Sequence, residues 1–258
     1  MVAIVIPARF KSQRFRGKPL APLRGASGIE KSLIQRSWEA GCQVPEATRV
    51  IVATDDDRIH DHAKSFGAEV IMTSARAANG TERCGEVANM LPEAELIINL
   101  QGDAPLTPPD FVSAVINGMG GAEMATPVLR CDPQTFRRLR EDRAAGRVGG
   151  TTAVFDHLGK ALYFSKEVLP FSDFAAPEDA VYHHVGLYAY RGETLRRYAA
   201  WPIGTLERLE GLEQLRFLEN GVPVQCVEVD AKDRVFWEVN NPVDIERVER
   251  ALASMGIE

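Results

Sequence analysis

Arg9, Lys11, Arg14, Arg16 and Lys18 crowd into one short stretch around Ser12 and Gly17, and no Asp or Glu precedes Glu30. The whole chain carries a formal charge of -6, so this positive charge is concentrated locally rather than spread. Guanidinium forks and an ammonium point charge on one loop suit a small polyanion, most simply a triphosphate. A solvated basic loop is the bland alternative for any such run. The residues before it tip the balance. Val2, Ile4, Val5 and Ile6 form a β-branched apolar run that ends at Pro7, which reads as a buried strand emptying into the loop. In an open parallel α/β sheet, ligands bind outside the carboxyl ends of the strands. Lys18 is followed by Pro19 rather than Ser or Thr, and no GxGxxG follows the strand, so the Walker-type and dinucleotide readings lose their support.

A second candidate lies at Gln101-Gly102-Asp103, directly after the apolar run Leu96 to Leu100. A carboxylate leaving a core strand is where a catalytic Mg²⁺ would be held beside phosphates. Asp103 could equally cap the turn before Pro105. Taken together, a basic loop and a carboxylate on strand ends make a charge pair suited to a metal-bound nucleotide. Asn79-Gly80-Thr81-Glu82-Arg83 opens a helix with polar groups at its N-terminus, either as part of that site or as a cap alone.

The surrounding pattern supplies the scaffold. Ile29 to Ala40 has helical spacing, with Gly41 as its C-cap; Arg49 to Ala53 is a strand; Ile59, Ala63 and Phe66 line a helix ending at Gly67; Glu69 to Met72 is a third strand. Leu96 to Leu100 is a central strand, and Thr107, Pro108 and Asp110 start a helix to about Met119. This alternation predicts a parallel sheet flanked by helices. Glu123 to Leu129 is another strand, and Gln134 to Arg147 an exposed helix and loop. From Thr151 the character changes: Thr151 to Phe155 and Ala161 to Ser165 form a hairpin, and His184 to Tyr190 alternates as one further strand. Thr205 to Asn220 reads as one Leu-striped helix with Glu213 and Gln214 in its middle, where a surface position is the plainer reading. Pro223 to Val229 is a strand, and a closing helix takes Asn241 as N-cap and Pro242 at N1. The fold class is therefore α/β: a Rossmann-like, mainly parallel sheet flanked by helices, with a smaller antiparallel extension. Residues 1–258 are expected to form one domain, with the antiparallel subdomain at about 150–200, a common dimer surface in such enzymes.

With 45% hydrophobic and 26% charged residues in 258, the composition is that of an ordered globular protein with room for a sizeable core. Cys42, Cys84, Cys131 and Cys226 are scattered, without CxxC or zinc-finger spacing, so neither disulfides nor structural zinc are indicated. No signal-peptide pattern opens the chain and no apolar run approaches a membrane span, so a cytoplasmic protein with no membrane partner is expected. Net acidity argues against nucleic acid as a partner.

In order and spacing, IPARFKSQRFRGKPL, NGTER, INLQGDAPL, ALYFSKEVLP, HHVGLYAYR, GLEQLRFLENG and VNNPVDIERV resemble the 3-deoxy-manno-octulosonate (KDO) cytidylyltransferases, or CMP-KDO synthetases, over nearly the whole chain. The fold implied is that of nucleotide-diphospho-sugar transferases. The activity implied is Mg²⁺-dependent transfer of CMP from CTP to a 2-keto sugar acid with release of pyrophosphate, for lipopolysaccharide assembly, by a homodimer. By matching position, Arg9, Ser12, Arg14 and Lys18 would hold the triphosphate, with Arg14 and Lys18 neutralising charge during the reaction. Ala8, Asn79, Gly80, Thr81 and Arg83 would frame the cytidine, and Asp103 would hold the metal. Gln101, Lys166, His184, Tyr188, Glu213 and Gln214 would face the sugar.

Departures from the family fall mainly in the sugar half. Ala104 stands where relatives carry Glu, Lys166 where they carry Arg, and Gly149-Gly150-Thr151-Thr152 near the place of an Asn-Pro-Asn-x-Val-Lys segment. Lys in place of Arg loses the planar fork that grips a carboxylate with two hydrogen bonds. Asn240 replaces a second Asp; its amide oxygen can still coordinate Mg²⁺, which makes it the expected second ligand. Cytidylyl transfer to a related acid, an amino-KDO or a nonulosonate, is the alternative, and a nucleotide-binding protein without catalysis is a third.

Overall fold

The computed structural model describes residues 1–11, 15–148, 150–171, 180–232, 239 and 241–258. The chain divides into two compact units, one of Met1–Ser113 with Ala231–Glu258, the other of Ala114–Asp230.

The first unit is built on β1 (Val2–Ala8), in which Ala3, Ile4, Val5 and Ile6 are fully buried. A run of such side chains with no polar alternation demands cover on both faces, and each buried Ile or Val contributes about 1.5–3 kcal/mol relative to exposure. The chain continues through β2 (Pro22–Arg24), β3 (Glu30–Ser32), α1 (Leu33–Cys42), β4 (Arg49–Thr54), α2 (Asp57–Ser65), β5 (Glu69–Met72), α3 (Gly80–Met90), β6 (Leu96–Leu100) and the start of α4 (Pro109–Gly118). β1 lies between β4 and β6, and β5 flanks β4, all parallel. The loops after these strands therefore leave at one edge. β2 and β3 form a small separate antiparallel ribbon. The chain returns to this unit with α9 (Asp244–Met255), whose Val248, Ala251 and Leu252 share a core cluster with Leu23, Leu33, Leu106 and Val239.

The second unit is organised on β7 (Met124–Arg130), followed by α5 (Pro133–Ala144), β8 (Thr152–Phe155), β9 (Ala161–Ser165), β10 (Tyr182–His184), β11 (Leu187–Arg191), α6 (Gly192–Tyr198), α7 (Thr205–Glu210), α8 (Leu215–Glu219) and β12 (Val224–Val229). β7 is antiparallel to β10 and β11 and parallel to β12, while β8 and β9 extend the antiparallel side as a hairpin.

The mixed, mainly parallel architecture agrees with the expected fold class, and its local boundaries differ for physical reasons. α1 begins at Leu33 because Ser32 caps it, its side chain accepting from the Gln35 N–H. Gly41 is not a cap but a buried helical residue, where an added Cβ would stand 3.0 Å from Val50 Cγ1, so the helix lies close on the sheet. The expected single helix from Thr205 breaks at Gly211, which takes φ 63° as C-cap of α7. Glu213 and Gln214 consequently sit in a turn. The strand expected from His184 to Tyr190 is split opposite Pro127, which lacks an N–H to donate to the ladder; β10 ends there and β11 begins after a tight Leu187 N–H to Val185 C=O bond of 2.7 Å. The closing helix starts at Asp244 rather than at Pro242, because Asn241-Pro242-Val243 forms a turn in which the Asn241 N–H donates to Asp244 Oδ2 at 2.7 Å. The ribbon of β2 and β3 and helix α6 had no counterpart in the sequence reading.

All four cysteines carry free thiols, Cys42 exposed and the others buried. Burial pushes the Cys131 thiol up to about 11 and that of Cys226 to about 12. Among the described residues, no helix is long and apolar enough to cross a membrane.

Candidate active site

The parallel register sets Ala8 of β1 beside Thr54 of β4, and Val5 beside Asn99 of β6, so the basic loop and the Gln101-Gly102-Asp103 turn emerge together. Gly102 permits this: a Cβ there would lie 2.8 Å from the Pro7 carbonyl oxygen. Lys18 reaches across and donates from Nζ to Asp103 Oδ2 at 2.6 Å and to the Val239 carbonyl at 3.0 Å. Both side chains are only partly covered, with 13% and 27% of their surface exposed, so solvent and solutes have access to the pair. The Asp103 carbonyl in turn accepts from the Val239 N–H at 2.9 Å, which ties the return of the chain to this turn.

The neck of the basic loop is closed by a Gly17 N–H to Phe10 C=O bond of 2.9 Å, with Gly17 at φ 73°. Phe10 is gripped by the Arg58 guanidinium 3.4 Å above its ring. Arg58 is oriented by two bonds to Asp56, whose carboxyl it holds below the usual range, with Lys11 adding to the effect. Arg9 donates to the Ala78 carbonyl at 3.2 Å and so joins the loop to the start of the Asn79-Gly80-Thr81-Glu82-Arg83 segment. Ser12, Arg14 and Asn240 lie outside the described residues.

In that segment Asn79 caps α3, its Oδ1 accepting from the Glu82 N–H at 2.8 Å. Gly80 lies against Pro7 and Asn99, where a Cβ would come within 3.3 Å of Pro7 Cγ. Thr81 and Arg83 are buried, and the Arg83 guanidinium is committed to Asp55 at 3.2 Å and to the Thr73 hydroxyl. Arg83 therefore braces the helix start against the ends of β4 and β5. Ala8 is buried at the end of β1, and Ala104 is buried beyond Asp103.

A single carboxylate at a strand end fits a hard divalent cation whose remaining oxygens come from phosphate and water. Among the described residues, no group of three or more His, Cys, Asp or Glu is arranged to hold a metal ion.

The polar residues expected to face a sugar are, except for Gln101, all in the second unit, and the structure links most of them. Phe164, His184, Tyr188, Tyr190 and Phe217 form a chain of rings, each centroid 5.2 to 5.9 Å from the next. The Tyr188 hydroxyl donates to Gln214 Oε1 at 3.3 Å. His184 is buried on β10, and its imidazole is pushed down to about 3 by burial and by His183 beside it, so the ring is neutral at ordinary pH. Lys166 follows β9, its backbone N–H bound to Glu210 Oε2 at 3.0 Å and its Nζ lying 3.0 Å from where a Cβ on Gly211 would stand. Glu210 also takes the Ser165 hydroxyl at 2.6 Å, so it fixes the end of β9 on the turn that carries Glu213 and Gln214. A buried fork from Arg216 to Glu207, at 2.6 and 2.7 Å, locks α8 to α7 behind that turn. Gln101 belongs to the first unit, where its carbonyl accepts from the Ala104 N–H at 3.2 Å.

Residues 3–229 match the family model described as Cytidylyltransferase. The chain belongs to the cytidylyltransferase family. It is 43% identical to the 3-deoxy-manno-octulosonate cytidylyltransferase of Maricaulis maris, over 99% of this chain and 98% of that one. It is 40% identical to the 8-amino-3,8-dideoxy-manno-octulosonate cytidylyltransferase of Shewanella baltica, over 98% of both chains. Among solved structures it resembles a CMP:2-keto-3-deoxy-manno-octonic acid synthetase complexed with CTP, with a TM-score of 0.85 and 33% identity over 98% of this chain and 99% of that one.

Asp55, Asp56, Arg58, Phe10 and Glu210 were not singled out from the sequence. Gly211, which the leucine spacing carried through as part of one helix, was the one available signal for the chain break beside Glu210; the contacts of Asp55 with Arg83 and of Arg58 with Phe10 join separate loops and are encoded by no local pattern.

Proposed function

We propose that the protein is a Mg²⁺-dependent KDO cytidylyltransferase, joining CTP to 3-deoxy-manno-octulosonate to give CMP-KDO and pyrophosphate for lipopolysaccharide assembly, in the cytoplasm and as a homodimer. The observation that carries this reading is full-length similarity to cytidylyltransferases of that acid together with a strand-end Lys18–Asp103 pair beside a basic loop. The anomeric hydroxyl attacks the α-phosphorus in line with departing pyrophosphate, so the protein has mainly to align two anions and neutralise their charge. Arg9, Ser12, Arg14 and Lys18 hold the triphosphate, and Arg14 and Lys18 also stabilise charge on the leaving group. Ala8, Asn79, Gly80 and Thr81 frame the cytidine, while Arg83 acts through the brace it makes with Asp55. Asp103 and Asn240 are the residues that would hold Mg²⁺, which supplies additional positive charge at the phosphates. Gln101, Lys166, His184, Tyr188, Glu213 and Gln214 bind the sugar acid, with Lys166 as the cation for its carboxylate.

A second reading is favoured by a specific observation: relatives acting on the 8-amino-3,8-dideoxy acid are nearly as similar, at 40% identity. Pyrophosphate release from CTP, measured with KDO, its 8-amino analogue and a nonulosonate, separates the two. Turnover with KDO supports the first reading, turnover with the amino analogue alone the second, and CTP binding without turnover on any acid removes both. A mass from light scattering equal to one chain would remove the homodimer.

A further inference from the structure

The split between β10 and β11 has a chemical consequence. Opposite Pro127 the strand turns, and this brings the carbonyls of Val185 and Leu187 onto one side chain, the fully buried Thr126 of β7. Thr126 Oγ1 lies 2.8 Å from the Leu187 oxygen, 3.3 Å from the Val185 oxygen and 3.0 Å from His184 Nε2. A hydroxyl has one proton to give. Carbonyl oxygens can only accept, so the proton must point at them; directed at His184 instead, it would leave the hydroxyl oxygen facing two carbonyl oxygens with nothing between. Toward the imidazole the hydroxyl can then only accept, which requires the proton on Nε2. Among the described residues, no group bonds to Nδ1 of His184.

We infer that Thr126 is a positioning residue that holds His184 as the Nε2–H tautomer, so that the ring offers Nδ1 as a hydrogen-bond acceptor to a hydroxyl of the sugar acid. This rests on the reading above that His184 faces the sugar. A bare ring nitrogen attracts a hydroxyl proton and repels a carboxylate, so the inference divides the labour in the second unit. His184 reads a hydroxyl, and the carboxylate falls to a cation, which Lys166 provides. Phe164, edge-on to the His184 ring at 5.2 Å between centroids, limits its freedom to flip and present the other nitrogen.

The tautomer can be observed directly by long-range ¹H–¹⁵N correlation on enzyme labelled with ¹⁵N-histidine, with His184→Asn identifying the resonances. The expected result is a protonated Nε2 and an unprotonated Nδ1 in the wild-type protein and in Thr126→Ser. In Thr126→Val, which keeps the shape without the hydroxyl, the tautomer should become mixed. Loss of one neutral hydrogen bond should raise KM for the sugar acid roughly fivefold, leave KM for CTP unchanged, and be reversed by Thr126→Ser. Protonation at Nδ1 in the wild type, or the same tautomer with and without the hydroxyl, overturns the role of Thr126. A tautomer that shifts while KM for the sugar acid stays constant upholds that role and overturns the placement of His184 against the sugar.

Discussion

Lys18 and Asp103 are the two groups expected to engage phosphate and metal, and they engage each other at 2.6 Å. A cation at Asp103 would stand beside the Lys18 ammonium and share the same carboxylate charge, so Lys18 competes with any cation for Asp103. The strength of that competition follows from the environment. Unit charges 4 Å apart attract by about 4 kcal/mol at an effective dielectric of ~20, whereas exposed pairs are worth ~0–1 kcal/mol; a pair with side chains 13% and 27% exposed falls between, at about 1–3 kcal/mol. Lys18→Met keeps most of the length and removes the charge. Mn²⁺, used in place of Mg²⁺, should then bind the nucleotide-free variant between about fivefold and a hundredfold more tightly. At the same time the lost charge-assisted phosphate contact, ~1.5–3 kcal/mol, should lower kcat/KM for CTP at least about tenfold. The two effects have opposite signs, and general damage to the fold would not produce that combination. Isothermal titration or electron paramagnetic resonance with Mn²⁺ measures the first, steady-state kinetics the second. Unchanged or weaker Mn²⁺ binding in Lys18→Met refutes the competition.

Gly102→Ala would bring a Cβ to 2.8 Å from the Pro7 carbonyl and push Asp103 out of place, so kcat/KM should fall by up to about a hundredfold, while Gly121→Ala, with nothing within 4 Å, should be silent; equal activity in the two refutes the role of the close approach. Glu207→Gln strands the Arg216 charge in the core and should cost about 3–5 kcal/mol, read as a Tm lower by roughly 6–20 °C. His183 and His184 titrate at about 4 and about 3 in the folded protein against 6.5 when free, chiefly through burial, so only the unfolded chain takes up their protons between those values. Stability should be level above about pH 6.5 and fall below it, by up to about 1.4 kcal/mol per pH unit for each ring, with urea melts at pH 7 and pH 5 as the check and a shallower fall in His183→Asn. Asn240→Asp should lower the Mg²⁺ concentration needed for half-maximal turnover; if Asn240→Ala leaves that concentration unchanged, Asn240 is no ligand.

The first unit was legible in the sequence because its signals are local. A β-branched run such as Val2 to Ile6 needs cover on both faces wherever it occurs, and a parallel sheet then fixes the edge at which its loops emerge. The basic loop and Asp103 could be paired in advance because the loop leaves β1 and Asp103 leaves β6 at the same edge; that Lys18 is the residue of the loop that reaches Asp103 could not. The misplaced boundaries also have local causes that propensity did not weigh: Gly41 serves a close helix–sheet contact instead of a cap, and Gly211 ends a helix whose leucine spacing continues past it.

The second unit was read less well because its decisive contacts join residues far apart in sequence. Thr126 stands in Met-Ala-Thr-Pro-Val-Leu, an apolar strand in which a lone threonine carries no signal, and its meaning depends on a neighbour 58 positions away. Glu210 looks like one more surface charge on a short helix until Ser165 and the Lys166 N–H are placed against it. This difference bears on where the family can vary. On the proposed reading, the Lys18–Asp103 charge pair serves any nucleoside triphosphate, whereas hydrogen-bond polarity in the sugar half is set by residues that need not touch the sugar. On that reading an exchange such as Lys166 for Arg changes a contact, a change at Thr126 changes what an unaltered His184 can recognise, and a change at Glu210 loosens the end of β9 that carries Lys166. Comparing only the residues that line the site therefore underestimates how two cytidylyltransferases can come to differ in the acid they activate, and the residues behind His184 and Lys166 are where such a difference is to be sought.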